Sequence, residues 1–157
     1  MISYQQKADY TCGVAVVRTL LGVVGLPVPS ERWLIPRLHA TDEQGTPAKR
    51  IVEYLEGHNF QVRIEVNRDV KWLRRQIRLG RAVILDWSDW GGHYVLAWEF
   101  DRPKGWSGGR FKCADPAAGY EGRPDGFTYV SGDRLQSMWF DPIPPSTKGL
   151  AIVVKYA

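Results

Sequence analysis

Apolar residues recur at helical spacing through the first half of the chain and gather in short, strand-length runs through the second. Val14, Val17, Leu21 and Val24 mark one helical face, but Val16, Leu20 and Val23 make the segment apolar nearly all round. It reads as a buried helix that begins at or just before Cys12 and is stopped by Gly25 and Pro27. A short helix follows Ser30, limited in length by Pro36. Thr46-Pro47 has the form of an N-cap followed by a first-turn proline. Ile51, Val52 and Leu55 give the helix behind it a core face, and Gly57 ends it. Residues 61–66 alternate, with Val62, Ile64 and Val66 on one side, as in a half-buried strand. Asp69 caps a further helix through Leu79, with Leu73 and Ile77 inward and Gly80 as its stop.

Beyond this point the pattern changes to strands. Residues 82–87 and 94–100 are apolar runs, and the Gly- and Pro-rich residues 102–109 read as a hairpin tip returning through residues 111–114. Residues 127–130 and 150–156 are further strands, with a short helix at 133–139. Segregation of helices from strands predicts an α+β fold in a single domain over residues 1–157, its N-terminal helices packed on a C-terminal antiparallel sheet.

Composition narrows the classes. With 157 residues the chain suits one domain with a sizeable core. No apolar run approaches the roughly 20 residues that span a bilayer, and the N-terminus lacks the apolar region of a signal peptide. The expectation is a cytoplasmic protein without membrane insertion. The net charge is +4, and the basic cluster Lys71, Arg74, Arg75, Arg78 and Arg81 reads as a solvated helix face. No nucleic-acid-binding motif accompanies it, so nucleic acid is not the expected partner. Two cysteines are too few for a disulfide framework or a structural zinc site, and a cytoplasmic setting argues against a Cys12–Cys113 bridge. No metal or organic cofactor is implied.

Cys12 therefore draws attention. It opens a buried helix, whose free N–H groups and dipole favour a thiolate. A nucleophilic thiolate needs a proton-holding partner, usually histidine. His39 and His58 lie at helix ends or in polar loops, whereas His93 opens a strand after Gly91-Gly92. Asp115 ends the strand expected to pair with that of His93, where it could fix an imidazole tautomer, although Asp-Pro is also an ordinary turn opening. Gln6, six residues before Cys12, could fold over the helix start and join the Cys12 N–H as an oxyanion donor, or be an ordinary exposed glutamine. Trp87, Trp90 and Gly92 are candidate substrate-binding residues: the indoles would wall a narrow cleft and the glycine would leave room for a substrate backbone. Packing beneath the loop explains the tryptophans equally well. Cys113 reads as core packing.

Taken together, the residues resemble a known family. The run from Gln6 to Cys12-Gly13-Val14-Ala15 is similar to the active-site motif of the bacteriocin-processing cysteine peptidases, papain-like domains that cut after a double-glycine leader. His93-Tyr94-Val95 resembles the family's His-x-Val strand, and Ala114-Asp115-Pro116 its Asp-Pro motif. The resemblance implies Cys12 as nucleophile, His93 as acid and base, Asp115 as orienting residue and Gln6 as oxyanion donor. It implies a peptide or protein substrate cut after a double-glycine or other small-residue site, and a separate exporter as candidate partner. Two other readings stay open: a papain-like acyltransferase or isopeptidase, and a non-catalytic leader-peptide docking domain.

Overall fold

The computed structural model describes residues 1–156. The apolar first helix forms as α1 (Cys12–Val23), and α2 (Glu31–Arg37) starts where the Ser30 side chain accepts the Trp33 N–H. The second long helix, α3 (Ala48–Glu56), begins one residue later than expected. Pro47 occupies the cap position and Thr46 makes no capping bond, because its side chain is committed to a contact with α1. A β-carbon on Gly13 would lie 2.6 Å from the Thr46 β-carbon, so the glycine at the start of α1 permits this approach. Asp69 caps α4 (Val70–Arg78) through the Trp72 N–H at 2.8 Å, as its sequence predicts. Ser131 caps α5 (Gly132–Met138).

The strands are β1 (Phe60–Glu65), β2 (Ala82–Trp87), β3 (His93–Asp101), β4 (Arg110–Ala114), β5 (Phe127–Ser131) and β8 (Ala151–Tyr156). They form one six-stranded antiparallel sheet in the order β1-β8-β2-β3-β4-β5. Two-residue strands β6 (Phe140–Asp141) and β7 (Thr147–Lys148) make a separate small hairpin. At β1 the expectation holds only in part. Phe60 and Val62 pack into the core, whereas Ile64 on this edge strand and Val66 just past its end are 43% and 44% exposed.

Alternation along the strands builds two cores rather than the single helical layer expected. Ile84, Leu96, Ala114, Ile152 and Val154 pack with α1, α2 and α3. Val83, Leu85, Val95, Ala97, Phe111 and Val153 face the other way and pack with Trp72 and Leu73 of α4, Leu135 of α5 and Trp139. Each fully buried aliphatic side chain contributes about 1.5–3 kcal/mol, so covering both faces holds the central strands β2 and β3 firmly. That rigidity matters because β3 begins with His93 and α1, which begins with Cys12, packs directly on it.

Gly13→Ala tests the α1–Thr46 contact. The added methyl should cost about 1–3 kcal/mol by overpacking, read as a lower urea midpoint, although alanine is the better helix former.

Candidate active site

The end of the sheet where β3 starts is shaped by an unusual turn. Trp90, Gly91 and Gly92 have φ of +59°, +77° and +109° in succession, after a 3₁₀ turn at Asp89–Gly91. A side chain at Gly92 would be strained by that φ and would meet Asp141 Oδ1 at 3.4 Å. The turn delivers His93 to the head of β3, opposite Trp87 in the antiparallel register. The next strand, β4, ends at Ala114, opposite Leu96, and leaves Asp115 beside the head of β3.

His93 is 3% exposed and Asp115 2%. His93 Nε2 donates to Asp115 Oδ1 at 2.8 Å. That bond leaves Nδ1 free, and the ring's other hydrogen-bond partner is the Cys12 side chain. Cys12 itself is 7% exposed and opens α1, whose Thr11 cap makes no side-chain bond to the helix N–H groups. Burial opposes the charged imidazolium, but the hydrogen bonds with Asp115 and Cys12, and their charges, raise the His93 pKa to about 9. Burial likewise works against the Asp115 carboxylate, yet the bonds from His93, Thr128 and the Ala117 N–H hold it below the usual carboxylate range.

Several supports of this arrangement carry no signal in the sequence. The Thr128 hydroxyl donates to Asp115 Oδ2, the Ala117 N–H donates to Oδ1 at 2.9 Å, and the Arg123 guanidinium lies 3.6 Å from Oδ2. Gln5 clamps the same loop: Nε2 donates to the Asp115 carbonyl at 2.9 Å and Oε1 accepts the Gly119 N–H at 2.8 Å. Its neighbour Gln6 donates its backbone N–H to the Pro116 carbonyl at 3.0 Å. The Gln6 amide is buried, with Nε2 donating to the Ala8 carbonyl at 2.9 Å and Oε1 without a partner. The Ala8 carbonyl also accepts the Thr11 N–H and hydroxyl, so the Gln6 amide sits on the turn that leads into Cys12.

Two cavities flank the head of β3 and share Trp90 as a border. A cleft of ≈ 450 Å³ on the α1 side takes in Cys12, Gly92, Tyr94, Asp86 and Asp141. A second cavity of ≈ 350 Å³, lined by Trp87, His93, Trp106 and Asp115, opens on the other side. Trp90, 66% exposed, borders both. Trp87 is only 2% exposed and belongs to the core as well as to the cavity wall, its ring 6.1 Å from that of His93. Cys113 is fully buried in the same core, where burial and then the Asp115 charge push its thiol up. Both cysteines are free thiols.

A family model, described as the peptidase C39 family, matches residues 2–121. The chain belongs to the peptidase C39 family. It is thereby a cysteine peptidase, as the resemblance in its motifs implies. The peptidase domain of Streptococcus ComA, a bi-functional ABC transporter involved in a quorum sensing pathway, superposes with a TM-score of 0.72 at 20% identity, over 98% of this chain and 97% of that one. A double glycine motif protease from an AMS/PCAT transporter, solved in complex with the leader peptide, gives a TM-score of 0.64 at 15% identity, over 100% and 91%. The peptidase domain of Streptococcus mutans ComA gives 0.60 at 20%, over 99% of each. The shared C39 fold is papain-like and α+β. No curated protein matches the chain significantly. No helix among the described residues is long and apolar enough to cross a membrane.

The His93 environment makes a pH prediction. Its folded-state pKa of about 9 lies above the ordinary 6.5, so the stabilisation is whole below about pH 6.5 and is lost as pH rises through about 9. NMR titration should place the His93 midpoint near pH 9. Asp115→Asn should lower that midpoint and reduce the fall in urea stability between pH 6 and pH 9.5.

Proposed function

We propose that Cys12, His93 and Asp115 are the catalytic triad of a peptidase acting as one domain over residues 1–157, and that it cuts its peptide after a double-glycine or similar small-residue site. The observation that carries this reading is the buried imidazole held between a carboxylate on Nε2 and the Cys12 side chain. In such a pair the imidazole takes the thiol proton, giving the thiolate that reacts. The thiolate attacks the scissile carbonyl, forming the C–S bond. His93 then gives its proton to the departing amine as the C–N bond breaks. Neutral His93 next takes a proton from water, whose oxygen displaces Cys12 from the thioester and restores the starting pair. Asp115 keeps Nε2–H in place throughout and so directs Nδ1 at sulfur.

The oxyanion would be met by the Cys12 backbone N–H at the start of α1 and by the Gln6 amide, released from the Ala8 carbonyl. Trp90 and Gly92 at the cleft rim would admit only a narrow backbone at the cut, and Trp87 would support the wall behind His93. A transporter-borne relative solved with its leader peptide supports a peptide substrate and a separate exporter as partner.

Peptides carrying Gly-Gly before the cut should be hydrolysed by the wild-type protein, with products read by mass spectrometry. Cys12→Ala or His93→Ala should lose on the order of 10³-fold or more in kcat/KM, and Gln6→Ala about 10²-fold. Amide products formed with added amine, in preference to free acid, would make the protein an acyltransferase. Absence of turnover with tight leader binding would make it a docking domain.

A further inference from the structure

The cleft that holds Cys12 has an electrostatic character that hydrolysis does not require. Asp9, Asp42, Glu43, Asp86 and Asp141 line it, and its lining includes no Lys, Arg or His, in a chain whose net charge is +4. None of these carboxylates takes part in the ion pairs of the described residues, which go elsewhere. The floor is the telling part. Asp86 is 6% exposed on β2, and on the cleft side of the sheet it meets Asp141 of the β6–β7 hairpin. Asp86 Oδ1 accepts the His93 N–H at 3.1 Å, which secures the head of β3, and the His93 ring is the one cation acting on it, since no Lys or Arg lines the cleft.

Paired buried carboxyls are costly, and the cost is relieved by a cation that enters with its own hydrogen-bond donors. The pair shows that cost: burial, then the charge of Asp141 and a hydrogen bond shared with it, push Asp86 up to about 7, although the His93 N–H and ring charge act the other way. A second feature of the same wall is unsatisfied independently of charge. Thr46 is 3% exposed, and its buried hydroxyl has no hydrogen-bond partner. An ammonium or guanidinium group supplies several donors and could satisfy carboxylate and hydroxyl oxygens together.

We propose that this cleft is a subsite for a positively charged group of the substrate, a Lys or Arg side chain on the acyl half of the peptide, with Asp86 and Asp141 at its floor and Asp42 and Glu43 at its mouth. The side follows from the reaction. The acyl carbon bonds to Cys12, which lies in the acidic cleft, while the departing amine must receive its proton from His93, whose ring lines the other cavity. The residues after the cut therefore meet Trp87 and Trp106, and those before it meet the acids. A small-residue pair at the cut leaves the basic residue two or more positions upstream. The subsite rests on Cys12 being the nucleophile.

Charged thiol reagents separate the two claims without a known substrate. Modification of Cys12 is timed at low ionic strength with trimethylammonioethyl methanethiosulfonate, with sulfonatoethyl methanethiosulfonate and with neutral iodoacetamide, the site being mapped by mass spectrometry. Relative to free cysteine, the cationic reagent should be favoured over the anionic one by about 10-fold or more. That ratio should shrink in high salt and in Asp86→Asn/Asp141→Asn. Should the buried pair be needed for folding, Asp42→Asn/Glu43→Gln at the exposed mouth should lower it as well. In Gly-Gly peptides, replacing an upstream norleucine by Lys should raise kcat/KM, and replacing it by Glu should lower it. Rapid reaction with iodoacetamide but no charge preference would overturn the subsite and spare the triad. Failure of iodoacetamide to react with folded protein would overturn the nucleophile, and the subsite with it.

Discussion

The 2.8 Å hydrogen bond from His93 Nε2 to Asp115 Oδ1 is the contact that the rest of the structure serves. It lies where water is excluded, so it orients the ring firmly, and it leaves one nitrogen for the Cys12 side chain. Neither partner is placed by its own strand alone. The left-handed turn through Trp90 and Gly92 delivers His93, and Asp115 is fixed by Thr128, Ala117 and Arg123 around its carboxylate and by Gln5 on its carbonyl. The N-terminal segment completes the frame. Tyr4 N–H bonds to Thr19 of α1, Gln5 to the Asp115 loop, and Lys7 N–H to the buried Glu31 carboxylate of α2. A single short stretch thus ties the helix of Cys12 to the loop of Asp115.

The two-faced sheet separates activation from recognition. Asp86 and Tyr94 share the strand alternation of Ile84 and Leu96 and look toward α1, whereas Trp87, His93 and Asp115 share the alternation of the opposite core. His93 reaches Cys12 because it stands at the very head of β3, beyond the last residues that the helices cover. The end of the sheet therefore carries a different chemical surface on each side. Strand parity puts Asp86 in the acidic cleft and Trp87 in the other cavity, while the turn residues Asp9, Asp42 and Glu43 and the hairpin residue Asp141 complete the acidic side.

Much of this was legible in the chain. The period of α1, the Asp69 and Ser30 caps and the Gly-Pro stops are local signals, and the structure follows them. Cys12 and His93 stood out because a helix start and a strand start are themselves local features. What was hidden is non-local. Asp86 and Asp141 meet across the small β6–β7 hairpin, whose two-residue strands have no period to detect. Gln5 differs from Gln6 only in where the backbone turns them, and no pattern distinguishes an amide that clamps the Asp115 loop from one that binds the Ala8 carbonyl. Thr46 looked like a helix cap because the sequence does not show that Gly13 lets α1 come close enough to occupy it.

The central claim is that His93, held by Asp115, keeps Cys12 as a reactive thiolate. The rate of Cys12 alkylation by iodoacetamide across a pH series tests it most directly, with wild type, His93→Ala and Asp115→Asn compared under native conditions. The account requires rapid alkylation of the wild-type protein well below pH 8.5, where an ordinary thiol is mostly protonated. It also requires loss of that acidic reactivity in His93→Ala and a partial loss in Asp115→Asn. A wild-type profile that rises only with the titration of an ordinary thiol, unchanged in the two variants, would contradict it.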